Sequence, residues 1–334
     1  MKRKYVTMKD IANALDISVN TVSRAFNNKD GISSETKKKI IKKAEEMGYL
    51  WNSTAAFLRT RETKTVGVII DESTNPFFWE VLYGIESSAK KHGYSVILMV
   101  FESDLAEEHK ALKTLLERRV DGILISPLDF NGEHLENLSK RGFPFLILGR
   151  KIDELDTDCI YSDEEKGGYI AAEKLIKDGC KHLIMFNSNA DTNTAKSREI
   201  GFKKAMADYN INEENYKVYK VFSADDLITL IPKMIENGEF FDGIFCYNDI
   251  MAYVAMKVLQ EKKLKIPEDV EVIGVDNTRF SNFVYPSLTS VNIQKYKMGY
   301  EAFNMLYSRM KGRRKKTKEI VLDVELVVRS STKP

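Results

Sequence analysis

Cysteine is scarce. The three in 334 residues, Cys159, Cys180 and Cys246, lie far apart with no C-x-x-C partner. That spacing excludes a disulfide framework and a structural zinc site, and reads as buried free thiols. The four histidines, His92, His109, His134 and His182, are not spaced with other plausible ligands, so neither a metal nor any other cofactor is expected. No apolar run approaches eighteen residues, and the basic start MKRKYV is not followed by an apolar signal core. A cytoplasmic chain with no membrane partner is therefore expected. Enzyme signatures are missing too. There is no G-x-S-x-G elbow, P-loop or H-E-x-x-H, and the Gly167-Gly168 pair does not complete a dinucleotide fingerprint. The expectation is a non-enzyme.

What is present begins with charge. The length suits two or three domains. The formal net charge is only +2, but residues 1–64 hold fourteen Lys and Arg against seven Asp and Glu, which is +7, so the remainder carries −5. A basic head on an acidic body points to a nucleic-acid-binding module joined to something that does not bind nucleic acid.

The head reads as a helix-turn-helix within Thr7 to Asn27. Thr7 can cap a first helix whose Met8, Ile11, Ala12 and Leu15 share one face. Asp16 tolerates the left-handed turn that follows, and Ser18 can cap a second helix with Val22, Ala25 and Phe26 inward. Val19, Asn20, Thr21, Ser23, Arg24 and Asn27 remain outside, a set of short hydrogen-bonding side chains and one arginine suited to base edges and phosphates. A third helix starts at Ser33 or Ser34, buries Ile40, Ile41, Ala44 and Met47, and ends at Gly48.

Residues Asn52 to Thr60 are helix-compatible but too few for a stable isolated helix. A linker that orders only on a partner fits them. Ala55 and Ala56 let two copies approach, and Leu58 is placed to wedge between base pairs from the minor groove. From Thr65 the texture changes to apolar strand candidates at 65–71, 94–100, 122–126, 143–149, 182–187, 243–248 and 270–276, with amphipathic stretches between them. Near-continuous apolar strands alternating with helices imply parallel sheets covered on both faces. The echo of Asp121-Gly122-Ile123 in Asp242-Gly243-Ile244 suggests two similar half-domains with a binding site between them, at the carboxyl ends of the strands. Asn75, Arg150, Asn248-Asp249 and Asp276 follow such strand ends, Arg198 begins the helix after a polar loop, and Phe77, Phe78 or Phe222 could stack on a sugar face.

Several stretches together resemble the LacI/GalR family of bacterial transcriptional regulators. They are T-M-K-D-I-A to S-V-N-T-V-S-R-A-F-N, S-S-E-T-K to M-G-Y, Asn75-Pro76-Phe77-Phe78, Arg198-x-x-Gly201-Phe202, Asn248-Asp249, Gly274-Val275-Asp276, Pro286 to Val291 and Glu325 to Arg329. The resemblance covers essentially the whole chain. It implies an all-α helix-turn-helix head at 1–51, a hinge at 52–61 and an effector-binding and dimerisation domain at 62–334. That domain would be a periplasmic-binding-protein-like α/β core of two doubly wound parallel-sheet subdomains, about 62–162 with 293–321 and 163–292 with 322–334. By position the resemblance places Ser18, Val19, Asn20, Thr21, Ser23 and Arg24 in the major groove of a pseudo-palindromic operator, and Leu58 at the minor-groove wedge. It assigns Arg198, Asn248 and Asp276 to the effector and Phe222 to its pocket. This chain departs from the family at Asp16, where glycine is usual, at Trp51 and Ala56 beside the hinge, and at Gly149 and Ile293 in the pocket.

The reading is a homodimeric repressor of a carbohydrate-utilisation operon, controlled by a sugar or sugar phosphate. The alternatives are control by a phosphocarrier-type protein coregulator or by a non-sugar corepressor. A sugar-processing enzyme with a regulatory head is disfavoured by the missing catalytic motifs.

Overall fold

The computed structural model describes residues 6–26, 31–49, 62–71, 75–102, 104–128, 132–152, 154–189, 192–314 and 316–334. The expectations for Asn27, Trp51, Ala55, Ala56, Leu58 and the hinge fall outside them. Two compact units divide the chain, Met1–Thr63 and Lys64–Pro334.

In the first unit, α1 (Met8–Leu15), α2 (Val19–Phe26) and α3 (Ser34–Glu46) bury Ile11, Ala12, Val22, Ala25, Ile40 and Ala44 against one another. Thr7 and Asp10 form a reciprocal capping box at the start of α1. Asp16 ends that helix at φ 51 and ψ 47, the left-handed conformation its short polar side chain tolerates. Ser33 caps α3, and Gly48 follows that helix at φ +67.

The second unit holds two six-stranded sheets. The first is built from β1 (Thr65–Ile70), β2 (Ser95–Val100), β3 (Gly122–Ile125), β4 (Phe145–Leu148), β5 (Asp158–Ser162) and β11 (Glu319–Leu322), in the order β2-β1-β3-β4-β5-β11, all parallel. The second is built from β6 (Leu183–Ser188), β7 (Tyr216–Val221), β8 (Gly243–Cys246), β9 (Glu271–Asp276), β10 (Thr289–Asn292) and β12 (Glu325–Val327). It repeats the pattern as β7-β6-β8-β9-β10-β12, with only β12 antiparallel. The fold class is therefore the helix-turn-helix head and paired doubly wound core that the sequence implied.

Helices α4 (Pro76–Lys91), α5 (Leu105–Glu117), α6 (Glu133–Lys140) and α11 (Lys295–Met310) serve the first sheet, and α7 (Glu164–Lys177), α8 (Asn193–Asp208), α9 (Leu227–Glu236) and α10 (Asp249–Glu261) the second. The central strands β1, β3, β4, β6, β8 and β9 are buried along nearly their whole length, which is why they read as apolar runs. Five strands and two helices escape that pattern, namely β5, β7, β10, β11, β12, α6 and α11. The edge strand β7 is only partly buried and exposes Lys217 and Lys220, while β10, β11 and β12 span only three or four residues.

The chain crosses between sheets after β5, after β10 and after β11, each time leaving the carboxyl end of a strand. Those ends consequently face a common cleft. Within each lobe two helices meet at paired glycines. A Cβ on Gly84 would stand 2.1 Å from the Tyr296 carbonyl oxygen and one on Gly299 1.9 Å from that of Val81, locking α4 to α11. Gly168 and Gly201 do the same for α7 and α8, at 2.1 Å from the Arg198 carbonyl and 1.9 Å from that of Glu165. Among the described residues no helix is long and apolar enough to cross a membrane.

Candidate effector site and DNA-reading surface

On the head, burial of Val22 and Ala25 turns the opposite side of α2 outward. Val19 is 44% exposed, Asn20 and Arg24 are exposed, and Thr21 and Ser23 are half-buried. Ser18 accepts from the Thr21 backbone N–H at 3.1 Å and its hydroxyl lies 2.8 Å from that of Thr21, so both help start the helix. The Thr7 hydroxyl likewise donates to Asp10, at 2.7 Å. Asn20 and Arg24 therefore carry the outward hydrogen-bonding capacity of the helix middle, with Val19 as an exposed apolar side chain beside them.

In the core, the structure brings Arg198 and Asp276 together. Arg198 projects from α8 and is 4% exposed. Its Nε donates to Glu164 Oε2 at 2.7 Å, Nη1 donates to the Tyr247 carbonyl, and its guanidinium lies 4.7 Å from the Tyr247 ring centroid. Nη2 stands 4.0 Å from Asp276 Oδ1. Burial opposes the arginine charge, but Glu164, Tyr247 and Asp276 outweigh it and hold the guanidinium firmly protonated. Asp276 ends β9 at φ 109 and is also 4% exposed. Burial pushes its carboxyl up to about 8; Arg198 and Lys295 offset this only in part, and the Asp249 carboxylate adds to it. A carboxyl poised in this way can donate or accept a ligand hydrogen bond. The fixed guanidinium beside it supplies donors in a rigid fork.

Backbone order around Asp276 comes from Asp249, which the sequence marks only as part of the Asn248-Asp249 motif. Its carboxylate accepts from the Thr278 backbone N–H at 2.7 Å, from Ser281 Oγ at 2.7 Å and from Ser290 Oγ at 2.5 Å. Asn277 is tied to Asn292 and to Arg329. Lys295, at the start of α11 and 3% exposed, donates to the backbone carbonyls of Asp276 and Asn277, and lies 3.7 Å from Glu80 on α4. It thus joins the helices of the first lobe to the carboxyl end of β9 in the second. Glu164, Tyr247 and Lys295 carry no mark in the sequence. Glu164 follows a strand the apolar pattern does not reveal, and the others act through tertiary contacts.

The remaining expected residues divide. Asn248 sits at the carboxyl end of β8, beside Tyr247, but its side-chain oxygen accepts from Met251 N–H and caps α10, leaving only its amide group for a ligand. Asn75 and Phe78 lie beyond the carboxyl end of β1, and Arg150 beyond that of β4, in the other lobe. The Asn75 oxygen caps α4 through Phe77 N–H, Phe78 packs edge-on to Phe77, and Arg150 donates to the Pro127 carbonyl. Phe222 does not join the buried group. It is 86% exposed, because Asp226 takes the backbone N–H groups of residues 222 and 223 and turns the chain away after β7. Two cavities, of about 350 Å³ between α5 and α6 and about 450 Å³ beside β5 and β11, contain none of these residues. The open cleft is marked instead by its buried charges.

Comparison with known proteins agrees with this architecture. Residues 7–52 match the family described as bacterial regulatory proteins of the lacI family, and residues 63–329 match the periplasmic binding proteins and sugar binding domain of the LacI family. The HTH-type transcriptional repressor PurR of Aliivibrio fischeri (strain MJ11) is 34% identical over 97% of this chain and 98% of that protein. The lac repressor bound to ONPG in its repressed state superposes with a TM-score of 0.87 at 25% identity, over 98% of this chain and 100% of that one. A LacI family transcriptional regulator from Enterococcus faecium with bound ribose gives 0.74 at 28% identity, over 81% of this chain and 99% of that one. The chain belongs to the LacI family of bacterial regulatory proteins, transcriptional repressors that join a DNA-binding head to a ligand-binding core.

Proposed function

We propose that the cleft takes a small polyhydroxylated effector of the sugar class, and that the chain represses a carbohydrate-utilisation operon as a homodimer on a pseudo-palindromic operator. The observation that carries the reading is the buried Arg198–Asp276 pair at the carboxyl ends of the second sheet. A guanidinium fork and a carboxyl together satisfy adjacent hydroxyls, and Asn248, Asn75, Arg150 and Phe78 add polar and apolar contacts from both lobes. The ribose-bound relative from Enterococcus faecium supports the sugar class. Exposed aromatic side chains support dimerisation: Trp79 at 68% and Tyr83 at 65% on α4, and Phe283 at 71% and Tyr285 at 90% after β9.

Control follows from the three-stranded connection between lobes. A ligand with higher affinity for one relative setting of the lobes shifts the population toward it, and the head's DNA affinity changes by the same coupling free energy. The curated relative named PurR favours a second reading, a planar nitrogen heterocycle such as a purine stacked on the cleft aromatics and hydrogen-bonded to Asp276. Isothermal titration of the purified chain with separate panels of sugars, sugar phosphates and nucleobases tests both. Binding of a sugar that is lost in Asp276→Asn is the expected outcome. Binding confined to nucleobases would replace the first reading by the second, and binding of neither panel would remove both.

A further inference from the structure

The four helices serving the first sheet all end at the edge where its strands begin, and that edge is strongly basic. The described turns there, 118–121, 141–144, 154–157, 311–314 and 316–318, carry eight Lys or Arg against Asp121, Glu154 and Asp156. Lys90 and Lys91 add two more in the last turn of α4, and Lys64 a third just before β1. Arg314 is held by Asp158 together with Arg309, but Arg118, Arg313, Lys316 and Lys318 are exposed. Three cations are gathered around two rings: Lys64 Nζ lies 4.9 Å from the Tyr94 centroid, Lys311 Nζ 5.9 Å from those of Tyr94 and Tyr307, and Arg313 5.3 Å from that of Tyr307.

Cations at helix C-termini complement the helix dipole, which is the ordinary explanation for such a cluster. The second lobe provides the comparison. Its helices α7 to α10 end in the same way, yet their turns at 178–182, 209–215, 237–242 and 262–270 hold four Lys or Arg against seven Asp or Glu. Equal dipoles with opposite net charge mean that the dipole does not set the sign. The basic edge also stands out against the −5 carried by residues 65–334 as a whole. Lys64, the first residue of the core unit, adds its charge at this same edge.

We propose that the starting edge of the first sheet is a second, sequence-independent DNA contact, made by Arg118, Arg313, Lys316 and Lys318 with backbone phosphates. It rests on the DNA-binding reading of the head. Each phosphate so neutralised releases condensed counterions and adds about 0.9 to the salt slope of binding.

The test uses the full chain and a random-sequence duplex of about 60 base pairs, with anisotropy titrations between about 50 and about 300 mM KCl. The variant R118Q/R313Q/K316Q/K318Q is compared with K181Q/K262Q/K263Q/K265Q, which makes the same charge change on exposed turns of the second lobe. The first should flatten the slope by about 1.8 or more, at least two contacts' worth, with the second within about 0.9 of wild type. Equal slopes for all three proteins, or equal flattening by both variants, would overturn the proposal while leaving the head's DNA binding intact. A wild-type chain that bound no duplex at any salt would overturn the DNA-binding reading, and the proposal with it.

Discussion

Gly201→Ala tests how the effector site is held. A Cβ at 201 would lie 1.9 Å from the Glu165 carbonyl oxygen and 2.7 Å from the Tyr169 nitrogen, whereas ordinary van der Waals contact begins at 3.4 Å. Both obstacles are helix backbone, which cannot rotate aside, so α7 and α8 must part by about 1.5 Å. Arg198 lies one turn before Gly201 on α8, and Glu164 adjoins Glu165 on α7. The parting therefore falls on their 2.7 Å hydrogen bond and stretches it beyond bonding range. Overpacking costs about 1–3 kcal/mol, against which alanine returns about 0.5–1 kcal/mol of helix propensity. Loosening a buried ion pair adds to the loss, so a net destabilisation of about 2 kcal/mol is expected. For a unit of this size that lowers Tm by about 4–8 °C. Calorimetric melting gives the first reading and effector titration the second, with affinity expected to fall at least tenfold while head-only DNA affinity is kept. A variant that melts at or above the wild-type temperature and binds effector normally would refute the close-crossing argument.

Three further outcomes are expected. Asp276 has a folded-state pKa raised above its ordinary 3.8, so its stabilising contribution is complete below that value and is lost as pH rises through about 8. Urea titrations at pH 5 and pH 9 should show wild type losing stability relative to Asp276→Asn across that interval; parallel curves would contradict the burial argument. Arg198→Ala removes the buried partner of both Glu164 and Asp276 and leaves the Glu164 carboxylate without its counter-charge, which should cost about 3–5 kcal/mol by urea denaturation. Asn20→Ala should relax sequence preference in a binding-site selection while leaving the salt slope on random DNA unchanged, because an amide reads bases rather than phosphates.

The architecture was legible because its signals are local. Fully buried parallel strands read as apolar runs, and Thr7, Asp16 and Ser18 write the helix-turn-helix boundaries in single residues with known conformational preferences. The outer strands β7, β11 and β12 give no such signal, since β7 is interrupted by Lys217 and Lys220 and β11 and β12 are too short to set a period. The same division runs through the effector site. Asp276 and Asn248 announce themselves as polar residues closing apolar strands. Glu164 looks like any acidic helix start until α8 is packed against α7, and Lys295 looks solvent-facing until the chain's second crossing buries it beneath the Asp276 carbonyl. Phe222 was placed by position in the family, but Asp226 turns this chain outward there.

The three crossings also govern how the molecule can be made and cut. Neither lobe is a continuous stretch of chain, because β11 and β12, three residues apart, supply one outer strand to each sheet. Both lobes therefore wait for the segment 319–327 to be synthesised before either sheet is complete. A stop codon just before Glu319 would strip both at once, whereas a single proteolytic nick at any one crossing would leave the lobes joined by the other two.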